Sequence, residues 1–246
     1  MYLLALESSA KSASAALAQD GRILASMMTD NGKTHSEQLL PMVENCLCRA
    51  GITYDQIDAF ACTVGPGSFT GVRIGVSLLK GLAFGMNKPC IPVSTLRAIA
   101  EGLRPLHGIY CAVMDARRAQ VYTALFRTDE ESGELVRLTE DDVLTFDELC
   151  ARLTSRPELL AGMPLYIAGD GTDVAACALS AARIPFFTPP ALLKNQHAAA
   201  VARCAFLDYK KEGAQFPSDT TISPLYLRVP QAERERLERQ AASSEL

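Results

Sequence analysis

One order of elements, strand-strand-strand-helix-strand-helix, can be read twice along this chain, and it restricts the fold more than any single motif does. In the first copy the apolar runs Leu3–Leu6, Ser12–Ala18 and Arg22–Met28 are the strands, with a turn at Asp20-Gly21. A helix follows, capped by Thr34 or Ser36. Its apolar positions Leu39, Leu40, Val43, Cys46, Leu47 and Ala50 recur at helical period until Gly51 ends it. Strand Ala59–Val64 and helix Thr70–Gly85 complete the set. A further strand, Cys90–Val93, leads to a Ser94-capped helix ending near Leu103.

In the second copy the strands are Ile109–Met114, Val121–Arg127 and Leu135–Leu138, with a turn at Ala116–Gln120. Helix Phe146–Leu153, strand Leu165–Ala168 and helix Thr172–Ala182 follow. The copies share negligible sequence identity, so the repeat is one of element order alone. It predicts an α/β protein of two similar lobes, 1–103 and 104–228, joined at Arg104–Gly108, with room for the last helix to cross back. Residues 229–246, carrying Glu233, Arg234, Glu235, Arg236, Glu238 and Arg239, read as a charged, solvated tail with no assigned function.

A net charge of −4 argues against a chain that grips a phosphate backbone by itself, so any work on nucleic acid needs a partner to supply positive charge. The eight cysteines include no C-x-x-C pair and lie along apolar stretches, which predicts buried, reduced thiols and no zinc site. Glu7 interrupts the first apolar run too early for a signal peptide, and no stretch approaches the roughly 20 apolar residues of a membrane span. A cytoplasmic location is expected.

The densest motif is Gly65-Pro66-Gly67-Ser68-Phe69-Thr70-Gly71-Val72-Arg73-Ile74-Gly75, set between a strand and a helix. Such a turn can bind anions through backbone N–H groups. Spacing excludes two specific versions. No lysine precedes Lys80, so there is no P-loop, and the third glycine comes one residue late for a dinucleotide fingerprint. On a helical wheel Gly71, Gly75, Leu78, Leu82 and Gly85 share one face, while Arg73, Ser77, Lys80 and Phe84 share the other. Glycines inside a helix each cost about 1 kcal/mol, so this face must pack very close to something. By pattern the helix suits a central core or a partner interface equally.

His35, His107 and His197 form no paired metal motif, and Leu39 occupies the position four residues after His35 where a helical second ligand would stand. No G-x-S-x-G elbow is present. Glu7 and Asp115 each end the first strand of a lobe. They could manage metal and phosphate in a cleft between lobes, although capping a neighbouring turn is the simpler reading. Gly169-Asp170-Gly171 is either a nucleotide-side turn or a tight connection.

The 65–75 block resembles the signature of the bacterial TsaB (YeaZ) family. Leu4-Ala5-Leu6-Glu7-Ser8-Ser9, His35-Ser36-Glu37-Gln38-Leu39-Leu40-Pro41, Val93-Ser94-Thr95-Leu96, Asp115-Ala116-Arg117 with Val121-Tyr122, and Pro224-Leu225-Tyr226-Leu227-Arg228 follow the family in order. The likeness departs at Glu7, where many relatives carry aspartate. It implies two actin-like, Hsp70-like (ribonuclease-H-like) lobes. It also implies a non-catalytic scaffolding subunit in threonylcarbamoyladenosine formation on tRNAs reading codons that begin with A.

By that resemblance a TsaD-like catalytic subunit holds the metal through an H-x-x-x-H pair, a TsaE-like ATPase joins it, and tRNA is met through the complex. ATP, magnesium and metal are expected at those partner subunits, with no cofactor, metal ligand or catalytic residue on this chain. Pairing through the first two helices puts His35, Leu39, Met42, Val43, Arg73, Val76, Ser77, Lys80 and Phe84 at the expected interface, with Phe84, Arg73, Lys80 and Met42 facing outward. Self-association through similar helices is a further expectation. Glu7, Ser68, Asp115 and Arg117 are the candidates for the interlobe cleft. The alternatives are a sugar-kinase-like ATPase, which needs nucleotide in that cleft, and a metalloprotease-type glycoprotease, which needs paired metal ligands.

Overall fold

Period-two alternation builds the first sheet. In strand β1 (Tyr2–Glu7), Leu4 and Leu6 enter one core while Leu3 and Ala5 enter another, so the strand is covered on both faces. β1 pairs antiparallel with β2 (Ala13–Gln19), which pairs antiparallel with β3 (Arg22–Thr29). On its other side β1 pairs parallel with β4 (Ala59–Gly65), followed by β5 (Cys90–Ser94), giving the order β3-β2-β1-β4-β5. The computed structural model describes residues 1–160, 162–212, 216 and 221–228, so the charged tail expected over 229–246 lies outside the described residues.

The second sheet repeats this plan. β6 (Ile109–Arg117) pairs antiparallel with β7 (Gln120–Thr128), and the two ends of β7 pair with β8 (Leu135–Arg137) and β9 (Asp142–Thr145). β10 (Leu165–Ala168) pairs parallel with β6, and a parallel bridge from Tyr166 to Phe187 stands where the first sheet has its fifth strand. Two copies of a three-strand meander extended by parallel strands constitute the expected actin-like pair of lobes.

Helices α1 (His35–Ala50) and α2 (Phe69–Ala83) cover the outer face of the first sheet. α1 ends at Gly51, whose left-handed conformation (φ 68°) lets its N–H reach the carbonyls of Cys48 and Leu47. Ser68 caps α2 by accepting from the Gly71 N–H, and Ser94 caps α3 (Thr95–Leu103) in the same way from Arg97. α4 (Phe146–Ser155) and α5 (Thr172–Ala181) cover the far face of the second sheet.

After the short α6 (Ala191–Lys194), α7 (Ala198–Glu212) crosses back onto the inner face of the first sheet. Ala198, Val201, Ala202 and Ala205 meet Ala5, Ala16, Ala59 and Ala61 there. Small residues on both sides let helix and sheet approach closely. α3 and α7 thus lie between the two sheets and are tied by ion pairs from Arg97 to Asp208 and from Arg203 to Glu101, which also pairs with Arg104 at the end of α3. Cys46, Cys62, Cys90, Cys111 and Cys204 are buried as expected, but Cys150 is only half-buried and Cys48 and Cys177 are exposed, which corrects the expectation for those three.

Candidate functional site

The turns that follow β1 and β6 occupy equivalent places in the two lobes, and each is capped by its own acid. Glu7 is fully buried, and its Oε1 accepts from the Ser9 N–H and the Ser9 hydroxyl, both at 2.6 Å. Burial pushes the Glu7 carboxyl upward in pKa, against the lowering effect of the Ser9 bonds. In the second lobe Asp115 Oδ1 accepts from the Arg117 N–H at 2.8 Å, and Oδ2 pairs with the Arg117 guanidinium at 3.0 Å. Arg117, Arg118 and Ala119 all have left-handed φ values between 55° and 63°, so the capped turn stabilises backbone that non-glycine residues rarely adopt. Each acid grips the N–H two residues ahead. That is the capping reading.

α2 is seated directly on the first of these turns. A Cβ on Gly71 would come within 2.0 Å of the Ser8 carbonyl oxygen, and one on Gly75 within 2.4 Å of the Ser8 hydroxyl. The Ser8 hydroxyl donates to the Gly71 carbonyl at 2.8 Å, the Ser68 N–H donates to the Ser9 carbonyl at 2.7 Å, and His35 Nε2 contacts the Ala10 carbonyl at 2.7 Å. The second-lobe turn is sealed similarly. A Cβ on Gly169 would lie 2.0 Å from the Val113 carbonyl oxygen, and the N–H groups of Gly169 and Gly171 go to Lys194 and Val113. Gly169-Asp170-Gly171 is therefore a tight connection. The N–H groups of Ser68, Gly71, Gly169 and Gly171, which could otherwise meet a phosphate, are bonded within the fold.

Between the lobes lies a cleft of about 270 Å³ lined by Lys11, Ser68, Asp115, Arg117, Tyr122 and Asp170, among others, and a second of about 190 Å³ adjoins it at Ala10, Lys11 and Asp170. Asp170 faces it, accepts from the Asp115 N–H at 3.2 Å, and is pushed up to about 6 by burial and by the Asp115 charge, against that hydrogen bond and the nearby Arg117 and Lys11. A carboxyl raised in the folded state stabilises fully only while protonated, and that contribution is lost as pH rises through about 6. Asp170→Asn, which keeps the acceptor oxygen and never ionises, should therefore be more stable than the parent at about pH 8, by up to about 3 kcal/mol. The gap should close below about pH 4. Thermal unfolding at the two pH values checks this, and equal stability at pH 8 would contradict it.

The outer surfaces of α1 and α2 form the other candidate. An open apolar groove runs between them, lined by His35, Ser36, Leu40, Arg73, Ile74, Ser77 and Leu78. Beyond its end stands Phe84, with 80% of its surface exposed. A phenylalanine this exposed beside an apolar groove marks a contact surface better than scattered single apolar residues do.

Comparison with known proteins bears on this geometry. The family model described as TsaD, tRNA N6-adenosine threonylcarbamoyltransferase, matches residues 23–235. The chain belongs to this family. Within it the likeness is to TsaB (YeaZ). The chain is 29% identical over 241 residues to the tRNA threonylcarbamoyladenosine biosynthesis protein TsaB of Bacillus subtilis, covering 98% of this chain and 100% of that one. It is 41% identical over 124 residues to TsaB of Haemophilus influenzae, covering 50% of this chain and only 52% of the relative. The solved structure "YeaZ from Pseudomonas aeruginosa" superposes with a TM-score of 0.74 at 27% identity, covering 92% of this chain and 99% of that one.

The family's first two helices are thus α1 and α2, and the structure divides the expected interface residues sharply. Arg73, Ser77 and Phe84 are exposed, and His35 and Lys80 are half-buried. Leu39, Met42, Val43 and Val76 are not on the surface. All four lie in the core beneath α1 and α2, and Met42 in particular does not face outward. The reason is geometric: one apolar stripe at helical period can pack on the sheet or face a partner, but not both. Leu78 and Leu82 sit half-buried at the side of α2, and a Cβ on Gly85, beyond the helix end, would meet nothing within 4 Å. Sequence reasoning missed Leu40, Ile74 and Leu78 as groove residues. The wheel of α1 against α2 would have found them only if the sheet-facing side had been known.

Proposed function

We propose that this chain acts in threonylcarbamoyladenosine formation on tRNA as a non-catalytic subunit that docks a TsaD-like catalytic partner on the outer face of α1 and α2. The observation that carries this reading is the contrast between two surfaces. The glycines of the interlobe turns are pressed onto neighbouring backbone and the Ser68, Gly71, Gly169 and Gly171 N–H groups bond internally, while the α1–α2 groove and Phe84 leave apolar surface uncovered. The relatives named TsaB and the match to the TsaD family support it. Metal, ATP and magnesium then act at the catalytic subunit and a TsaE-like ATPase, and tRNA is met by the assembly. The same face can pair two copies of this chain when the partner is absent.

Phe84→Asp tests the docking surface. The side chain reaches into solvent, so the substitution should leave the thermal midpoint within about 2 °C of the parent. A charge placed in a desolvated contact should weaken co-purification with the TsaD-like subunit by tenfold or more, equivalent to about 1.4 kcal/mol. Unchanged co-purification would remove Phe84 from the docking surface.

A further inference from the structure

Residues 222–228 form a strap between the two lobes. Ile222 is buried in the core beneath α1 and α2. The Leu225 N–H donates to the Val64 carbonyl at 2.7 Å, and the Leu225 carbonyl presses so near Gly65 that a Cβ there would approach it to 2.5 Å. At the other end Leu227 packs on the core of the second lobe, and Arg228 Nη1 donates to the Ala116 carbonyl at 3.0 Å.

Between these anchors Tyr226 lies on the start of α2. Its ring sits 5.0 Å, centroid to centroid, from that of Phe69, and its hydroxyl accepts from Arg73 Nε at 2.6 Å. The Arg73 guanidinium also lies over the same ring, 5.4 Å from the centroid. Arg73 lines the α1–α2 groove, is exposed, and has no carboxylate within ion-pair distance among the described residues. The strap therefore reaches the groove through one arginine. A guanidinium fixed at Nε presents its two terminal nitrogens as a planar fork, the geometry that suits a carboxylate.

We infer that Tyr226 is a positioning residue for partner recognition, holding Arg73 so that its terminal nitrogens receive a carboxylate of the TsaD-like subunit. This rests on the α1–α2 face being the docking surface. Fixing a long, rotamer-rich side chain before binding removes part of the ordering cost of association. Because the strap is anchored in both lobes, the second lobe contributes to recognition without touching the partner.

The test measures affinity of the full chain for its TsaD-like subunit, at low and high salt, for the parent, Tyr226→Phe, Arg73→Ala, the double variant and Phe84→Asp. Tyr226→Phe keeps the ring on Phe69 and removes only the acceptor, and it should weaken binding about five- to tenfold at low salt. Arg73→Ala should lose at least as much, and the double variant no more than Arg73→Ala alone. The losses should shrink at high salt. Additive losses would overturn the inference, because Tyr226 would then act through the fold and not through Arg73. Parental affinity of Tyr226→Phe alongside weakened Phe84→Asp would overturn this inference alone. Parental affinity of Phe84→Asp would instead overturn the docking surface itself.

Discussion

Gly71→Ala is expected to lower the melting temperature by roughly 5–10 °C, while Gly81→Ala in the same helix is expected to raise it by a few degrees. Alanine is the better helix former at both positions, by about 1 kcal/mol. At Gly81 nothing lies within 4 Å of the added Cβ, so that gain should appear undiminished. At Gly71 the Cβ would stand 2.0 Å from the Ser8 carbonyl oxygen, a backbone atom fixed by the hydrogen bonds of the β1–β2 turn. Either α2 lifts from the turn or the turn gives way, and the overpacking should cost about 3–4 kcal/mol before the helix-forming gain is subtracted. Thermal unfolding of the pair decides the matter by sign. A Gly71→Ala variant as stable as the parent would mean that α2 does not depend on this close seat.

The same residues show what could be read from the sequence. Three glycines at helical spacing announced a close approach, but not what was being approached. For Gly71 and Gly75 it turned out to be Ser8, more than sixty positions earlier in the chain, a neighbour that follows only from the parallel pairing of β1 with β4, while Gly85 has no such neighbour. The element order was legible because strands and helices alternate with clean period changes, as in Leu165–Ala168 followed by Thr172–Ala181. α7 was not legible. Its buried side is mostly alanine, which gives hardly any hydrophobic contrast, although those small side chains are what allow it to fit against Ala5, Ala16 and Ala59.

The candidate site was legible in outline and blurred in detail. Arg73, Ser77 and Phe84 emerged on the outer side of α2 because that side carries the polar residues. Leu39, Met42, Val43 and Val76 were misplaced because an apolar stripe does not state which body it will pack against. Tyr226 could not be linked to Arg73 at all, since 153 positions separate them and no local pattern connects the two. The acids were the reverse case. Glu7 and Asp115 look alike in sequence and in structure, and both resolve to turn caps, a role that their spacing to Ser9 and Arg117 already permitted.

The two interlobe turns are shaped by contacts within the fold. The Glu7 oxygen that meets a neighbour is held by Ser9, Asp115 is held by Arg117, and the glycine turns of both lobes are pressed onto neighbouring backbone. On the function proposed above, threonylcarbamoyl transfer to tRNA depends wholly on the TsaD-like subunit, with this chain raising its rate by binding it. The direct measurement is transfer to tRNA by this chain alone, by the catalytic subunit with its ATPase, and by the full mixture. Transfer should be absent from the first, weak in the second and restored in the third. Transfer by this chain alone would contradict the account.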